Sequence, residues 1–202
     1  MPLTIIPVTT KKEMKQFICF NYALYKDSPY AVPELYTDVR DTLDPNKNAA
    51  FEFCEAQPFI ALRDGMVVGR IVAIINHKAN SVWNKKAVRF GWVDFIDDVE
   101  VVDALFATVE QWGRERGMTE AHGPLGFTDF DPEGMLVEGF DRIGTMATIY
   151  NYPYYPVHME RMGYVKDVDW MEYLLTAPEA LPEKHARITR IVKEKYGLRV
   201  VK

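Results

Sequence analysis

The chain has 202 residues, 48% of them hydrophobic and 26% charged, a balance that supports a filled globular core and excludes an intrinsically disordered chain. Its 24 basic against 29 acidic residues leave a net charge of −5. No basic run interleaved with aromatics occurs, so nucleic-acid binding has no electrostatic support.

The length suits one substantial domain with an appendage. Cys19 and Cys54 lack CxxC spacing and read as reduced packing residues, which points to the cytoplasm. The N-terminus carries no basic stretch followed by a long apolar run, and no segment offers about 18 uninterrupted apolar residues, so a membrane association is not expected.

In chain order, Leu3 to Val8 is the first strand candidate. Thr10 and Glu13 then form a capping-box pattern, and Met14, Phe17, Ile18, Tyr22 and Tyr25 recur at helical spacing. From Asp27 to Pro58 the text is irregular, with prolines at 29, 33, 45 and 58 and a short helix around Leu35 to Leu43. Apolar runs at Phe59 to Leu62 and Val67 to Ile75 flank an Asp64-Gly65 turn, which predicts a hairpin, and Ala87 to Ile96 predicts a further strand. Val102, Leu105, Phe106, Val109 and Trp112 mark one stripe of the next helix, which stops at Gly117.

"TEAHGPLGF" is a fifth strand candidate, followed by a Gly-rich acidic loop. A short helix ending at Gly163 comes next, then an alternating strand near Val168 to Leu175. The tail from Pro182 is helical, with Ile188, Ile191 and Val192 on one side. The closing "LRVVK" resembles the start of another strand, as if residues 1–176 formed one domain and residues 177–202 led into a second. Trp83, Trp92, Trp112 and Trp170 read as packing residues.

One stretch poses a question. "FIDDVEVVDALF" passes from a strand into a helix N-terminus, a favoured place for phosphate, yet it is lined with Asp97, Asp98 and Glu100. Asp97 or Asp98 can cap the helix and Glu100 favours its dipole, so the acids read as structural.

Metal chemistry finds little support. "DFDPEGMLVEGF" has Asp129, Asp131 and Glu133 at alternate positions, but Phe140 stands where a calcium loop needs a bidentate Glu. The four histidines show no zinc-ligand pairing, and no G-x-S-x-G elbow occurs. "IYNYPYYPVH" reads first as a packed aromatic patch and second as a pocket wall, with Asn151 and the tyrosine hydroxyls orienting a ligand.

The order β-α-β-β-β-α-β-α-β, with "DGMVVGRIVAIINH" as a hairpin strand, "ERGMTEAHG" ahead of the fifth strand and "MERMGYVKDVDWMEYLL" near the end, resembles the GNAT N-acetyltransferase superfamily. The resemblance covers about Leu3 to Leu175, and its best match is "M-E-R-M-G-Y" where the family has Y-E-K-x-G-F. It implies an α/β (α+β) fold, a mixed, mostly antiparallel central sheet flanked by helices.

It implies acetyl-CoA or another acyl-CoA as cofactor, a small-molecule amine as acceptor, and acyl transfer between them. The pantetheine would pair with strand backbone within Phe90 to Ile96, giving Trp92, Val93, Asp94, Phe95 and Ile96 as cofactor contacts, with Asn151 beside them.

The sequence departs from the family twice. "DDVE" lacks the glycines and basic residue of the pyrophosphate loop, and Met159 takes the place of the tyrosine that protonates the departing thiolate. Tyr154, Tyr155 and His158 are then the candidates for a shifted acid. The alternative is a GNAT-like domain that has lost catalysis and serves as a binding or structural module of a longer chain. Oligomeric state stays open, a homodimer included.

Overall fold

The computed structural model describes residues 2–146, 148–180, 182–199 and 201. It divides into two units, Met1–Val165 and Lys166–Lys202.

The first unit opens with strand β1 (Thr4–Pro7) and helix α1 (Lys11–Leu24). The capping box is closed: Glu13 N–H donates to Thr10 Oγ1 at 3.2 Å, and Thr10 N–H donates to the Glu13 carboxylate at 2.8 Å. Helix α2 (Tyr36–Thr42) and a 3-10 turn (Ala49–Glu52) follow, and then the long hairpin β2 (Cys54–Arg63) and β3 (Met66–Asn76). Asp64 and Gly65 both take positive φ, 56° and 77°, which is what a two-residue hairpin turn needs to match the strand twist.

Helix α3 (His77–Trp83), β4 (Ala87–Phe95), α4 (Val99–Arg114), β5 (Glu120–His122) and α5 (Tyr154–Arg161) complete the unit. The five strands form one sheet in the order β1-β2-β3-β4-β5, with three antiparallel pairings and a parallel one between β4 and β5. The mixed, mostly antiparallel sheet flanked by helices is therefore present.

Alternation along the strands makes two cores. Ile71, Ala73 and Ile75 face α4 with Val102, Leu105, Phe106 and Val109, while Val72 and Ile74 face α1 with Phe17 and Ile18. Every one of these side chains is buried.

Two irregularities shape the middle of the sheet. Arg70 pairs with Asp94 and Val72 with Gly91, so Trp92 and Val93 together oppose Ile71, and Trp92 takes φ 44°. The parallel β4–β5 pairing spans only Ala87–Arg89 against Glu120–His122; Leu125 N–H then reaches Phe90 O at 2.8 Å. Gly91 is required here, since a Cβ would lie 2.6 Å from the Leu125 carbonyl oxygen. Beyond this point no strand among the described residues pairs with this edge of β4.

Several sequence expectations need correction. Helix α3 was not anticipated; it starts where Asn76 accepts the Ala79 N–H at 2.8 Å. The fifth strand stops at His122, ahead of Pro124, which has no N–H to donate. Trp83 and Trp170 are exposed, at 74% and 59%, and do not pack, whereas Trp112 lies against the α4 core.

In the second unit, helix α6 (Glu183–Tyr196) forms as expected. The strand expected near Val168 to Leu175 does not form, and Leu174 and Leu175 are exposed, because an alternating run becomes a strand only against a hydrogen-bonding neighbour. Leu198 and Arg199 are likewise not strand, and Val200 lies outside the described residues. Among the described residues no helix is long and apolar enough to cross a membrane.

Candidate functional site

This edge of β4 meets α5. Phe95 N–H donates to Tyr155 Oη at 3.1 Å, and Tyr154 Oη donates to Phe95 O at 2.7 Å. Two hydroxyls on adjacent helical residues thus supply Phe95 with the donor and acceptor that a neighbouring strand would give. The rings follow the same logic: Tyr155 stacks on Phe95 with centroids 4.1 Å apart, and His158 meets Phe95 edge-on at 5.8 Å.

Behind Phe95 lies a buried polar network. Asp94 accepts from Arg70 Nε at 2.6 Å, from Asn21 Nδ2 at 3.0 Å, from Tyr25 Oη at 2.8 Å and from Tyr155 Oη at 3.2 Å. Tyr25 Oη and Tyr155 Oη also lie 2.8 Å apart, so one of the two phenols divides its single proton between its neighbour and Asp94. Arg70 is buried and lies over the Phe17 ring, with its Nη2 donating to Glu34 at 3.4 Å. The other Glu34 oxygen accepts from Trp92 Nε1 at 3.1 Å.

Burial drives the Tyr155 and Tyr25 phenols well above their ordinary range, and the nearby Asp94 charge adds to it. Tyr154 is raised for the same first reason, burial. These hydroxyls keep their protons. Glu34 is also raised, by burial against the opposing pull of Arg70.

His158 is buried on α5. Its Nε2 lies 2.8 Å from Asp97 Oδ1, and its Nδ1 is buried without a hydrogen-bond partner. Asp97 therefore ties α5 to the strand–helix junction, while Asp98 caps α4 by accepting the Val101 N–H at 3.2 Å. Arg63 bridges Asp98 at 2.6 Å and Glu100 at 2.7 Å, so these two acids at the helix start share one cation from β2. The Arg63 hydrogen bond first, and the capped amides after it, hold the Asp98 carboxyl below its ordinary range.

That arrangement answers the question raised by "FIDDVEVVDALF". Asp98→Ala is expected to lower stability by about 1 kcal/mol, the value of a lost N-cap, in urea unfolding. An unchanged midpoint would show that solvent satisfies the Val101 N–H as well as Asp98 does.

The sequence-derived residues divide as follows. Tyr154, Tyr155, His158, Asp94 and Phe95 come together around the β4 edge. Trp92 turns toward Glu34, and Ile96 N–H is taken by Val68 O at 3.1 Å. Asn151 lies apart: its carbonyl accepts Leu136 N–H, and its amide donates to Leu136 O and Tyr152 O, which staples the loop before α5. Arg70, Glu34, Tyr25 and Asn21 were missed. A lone arginine inside the apolar run of β3 was the available signal, since a buried guanidinium requires partners.

No protein-family model matches the chain. Among curated proteins it is 33% identical over 166 residues to Protein YghO of Escherichia coli (strain K12), covering 80% of this chain and 42% of that protein. It is also 33% identical over 182 residues to the bacterial ceramide synthase of Caulobacter vibrioides, covering 90% of this chain and 47% of that protein. The chain thus spans less than half the length of these relatives.

Among solved structures, the tandem GNAT protein from the clavulanic acid biosynthesis pathway superposes with a TM-score of 0.54 at 15% identity, over 80% of this chain and 43% of that one. An aminoglycoside acetyltransferase from an uncultured soil metagenomic sample, in complex with sisomicin, gives 0.51 at 14% identity, over 86% of this chain and 97% of its own. At such identities the likeness establishes the fold.

Proposed function

We infer, from the GNAT N-acetyltransferase fold of this chain, that it transfers an acyl group from an acyl-CoA thioester to a primary amine. The observation that carries the reading is the bulged edge of β4, bordered at Phe95 by side chains of α5 in place of a strand. The 33% identity to a ceramide synthase over 90% of the chain supports a lipid acceptor, an amphiphilic amine, over a small sugar amine. The coverage of less than half of both relatives supports action as one lobe of a longer enzyme. Two free cysteines fit work in the reducing cytoplasm.

Phe95 is already paired, so the pantetheine is proposed to use the backbone of Val93 in the bulge of β4. The α4 N-terminus is capped by Asp98, and the pyrophosphate of CoA is proposed to lie outside it. Tyr154 and Tyr155, with raised phenols, hold the strand edge. His158 is the proposed acid: its imidazolium gives a proton to the departing thiolate as the C–S bond breaks, and the proton shed by the nitrogen on amide formation restores it.

The test is incubation with acetyl-CoA or palmitoyl-CoA and sphinganine, a long-chain amino diol, following free thiol by a chromogenic disulfide and amide by mass spectrometry. Thermal unfolding with saturating CoA runs alongside. Amine-dependent thiol release with amide product is expected. At about 100 times Kd the ligand adds about 2.7 kcal/mol, a midpoint rise of roughly 5 to 10 °C. No thiol, no amide and no shift would leave the binding-module reading, which the capped α4 and the occupied Phe95 backbone already favour.

A further inference from the structure

The polar network behind β4 has unequal halves. Asp94 is buried with four donor groups in reach, Arg70, Asn21, Tyr25 and Tyr155, so its valence is met. Glu34 has Trp92 and a long 3.4 Å contact to Arg70, and its side chain is 34% exposed. Two carboxylates share one guanidinium, so with both ionised the group has a surplus charge of −1. Excess negative charge at a half-covered site favours an incoming cation or proton.

A second observation comes from the cation. Arg70 is 2% exposed, and its Nη1 is buried with no hydrogen-bond partner, beside the Nη2 that reaches Glu34. An orphaned guanidinium donor calls for an oxygen acceptor. Glu34 also sits on the irregular segment between α1 and α2, anchored by Tyr22 Oη donating to the Glu34 carbonyl at 2.7 Å, and next to the Trp92 bulge of β4.

We propose that Glu34 and Arg70 form the acceptor site for an amphiphilic amino alcohol, with the ammonium held by the Glu34 carboxylate and the neighbouring hydroxyl oxygen by Arg70 Nη1. The assignment rests on the acyl-transfer reading for its placement beside the reaction. Glu34 takes one proton from the ammonium, the freed lone pair forms the C–N bond at the thioester carbonyl, and the C–S electron pair leaves on sulfur. Burial raises Glu34, which makes it a better proton acceptor than an exposed carboxylate.

The test measures binding first. 2-Amino-1-dodecanol and its uncharged N-acetyl derivative are titrated calorimetrically, below their aggregation limits, into wild type, Glu34→Gln and Glu34→Asp. The amine should bind wild type, weaken at least tenfold in Glu34→Gln and recover part of the loss in Glu34→Asp, while the N-acetyl derivative should not distinguish the three. Removing a surplus charge should leave the Glu34→Gln thermal midpoint at or above wild type. Should Glu34→Gln fail to fold, Glu34→Asp against wild type carries the comparison.

Equal amine affinity in the variants, or no binding to wild type, overturns the site. Charge-dependent binding without acylation by acetyl-CoA or palmitoyl-CoA keeps the site and removes the transfer reading. Acylation undiminished in Glu34→Gln does the reverse.

Discussion

Replacing Arg70 with methionine should destabilise the chain by about 3 to 5 kcal/mol in urea unfolding, the cost of leaving a buried ion pair with one partner. Arg70 is buried, contacts Asp94 at 2.6 Å and is the guanidinium between two carboxylates. Burial works against its charge, and Asp94 and Glu34 more than compensate. With Arg70 gone, Asp94 keeps Asn21, Tyr25 and Tyr155 but faces Glu34 with no cation between them. Arg70→Met/Asp94→Leu should recover part of the loss, because it removes both charges together.

The pH dependence has a definite sign. Glu34 has a folded pKa above its unfolded value, so its contribution favours the fold below the unfolded pKa and is lost as pH rises through the folded one. Without Arg70 that rise grows, and the variant should regain stability relative to wild type between neutral pH and about pH 4. A loss under about 1 kcal/mol with no pH dependence would mean that the guanidinium is solvated in solution.

How much of this was legible follows from the range of each interaction. Thr10 with Glu13 and Asp64 with Gly65 act within four residues, so the capping box and hairpin turn could be read directly. The acids of "FIDDVEVVDALF" were read as caps, but Arg63, which pairs with Asp98 across 35 residues, could not be. The Arg70–Asp94 and Arg70–Glu34 contacts span 24 and 36 residues, and only the oddity of an arginine among Val67, Val68, Ile71 and Val72 announced them.

Misreadings had the same cause from the other side. The alternation of Val168, Asp169 and Trp170 fits a strand's period, yet period alone supplies no hydrogen-bonding neighbour. Helix α3 begins directly after β3 with its cap, Asn76, still inside the strand, so no break in the text marks the change. Asn151 was grouped with the tyrosines by proximity, but its amide is directed to Leu136, fifteen residues back.

His158→Gln should lower kcat for acyl transfer by about 10²- to 10⁴-fold, the usual value of a positioned proton donor, with KM for acyl-CoA little changed. Glutamine can keep the hydrogen bond to Asp97 that His158 Nε2 makes at 2.8 Å, so α5 stays tied to the β4–α4 junction, but it has no exchangeable imidazole proton. The discriminating controls are Tyr154→Phe and Tyr155→Phe. Each removes one partner of Phe95, so each should cost stability, about 1 to 3 kcal/mol where a buried backbone group is left unpaired, with a far smaller loss of kcat. The basic limb of the wild-type pH–rate profile, where a general acid loses its proton, should also vanish or move in His158→Gln alone. If instead His158→Gln lowers the thermal midpoint and leaves kcat and the profile intact, His158 is a tether between Asp97 and α5. The proton would then come from solvent entering at this edge of β4.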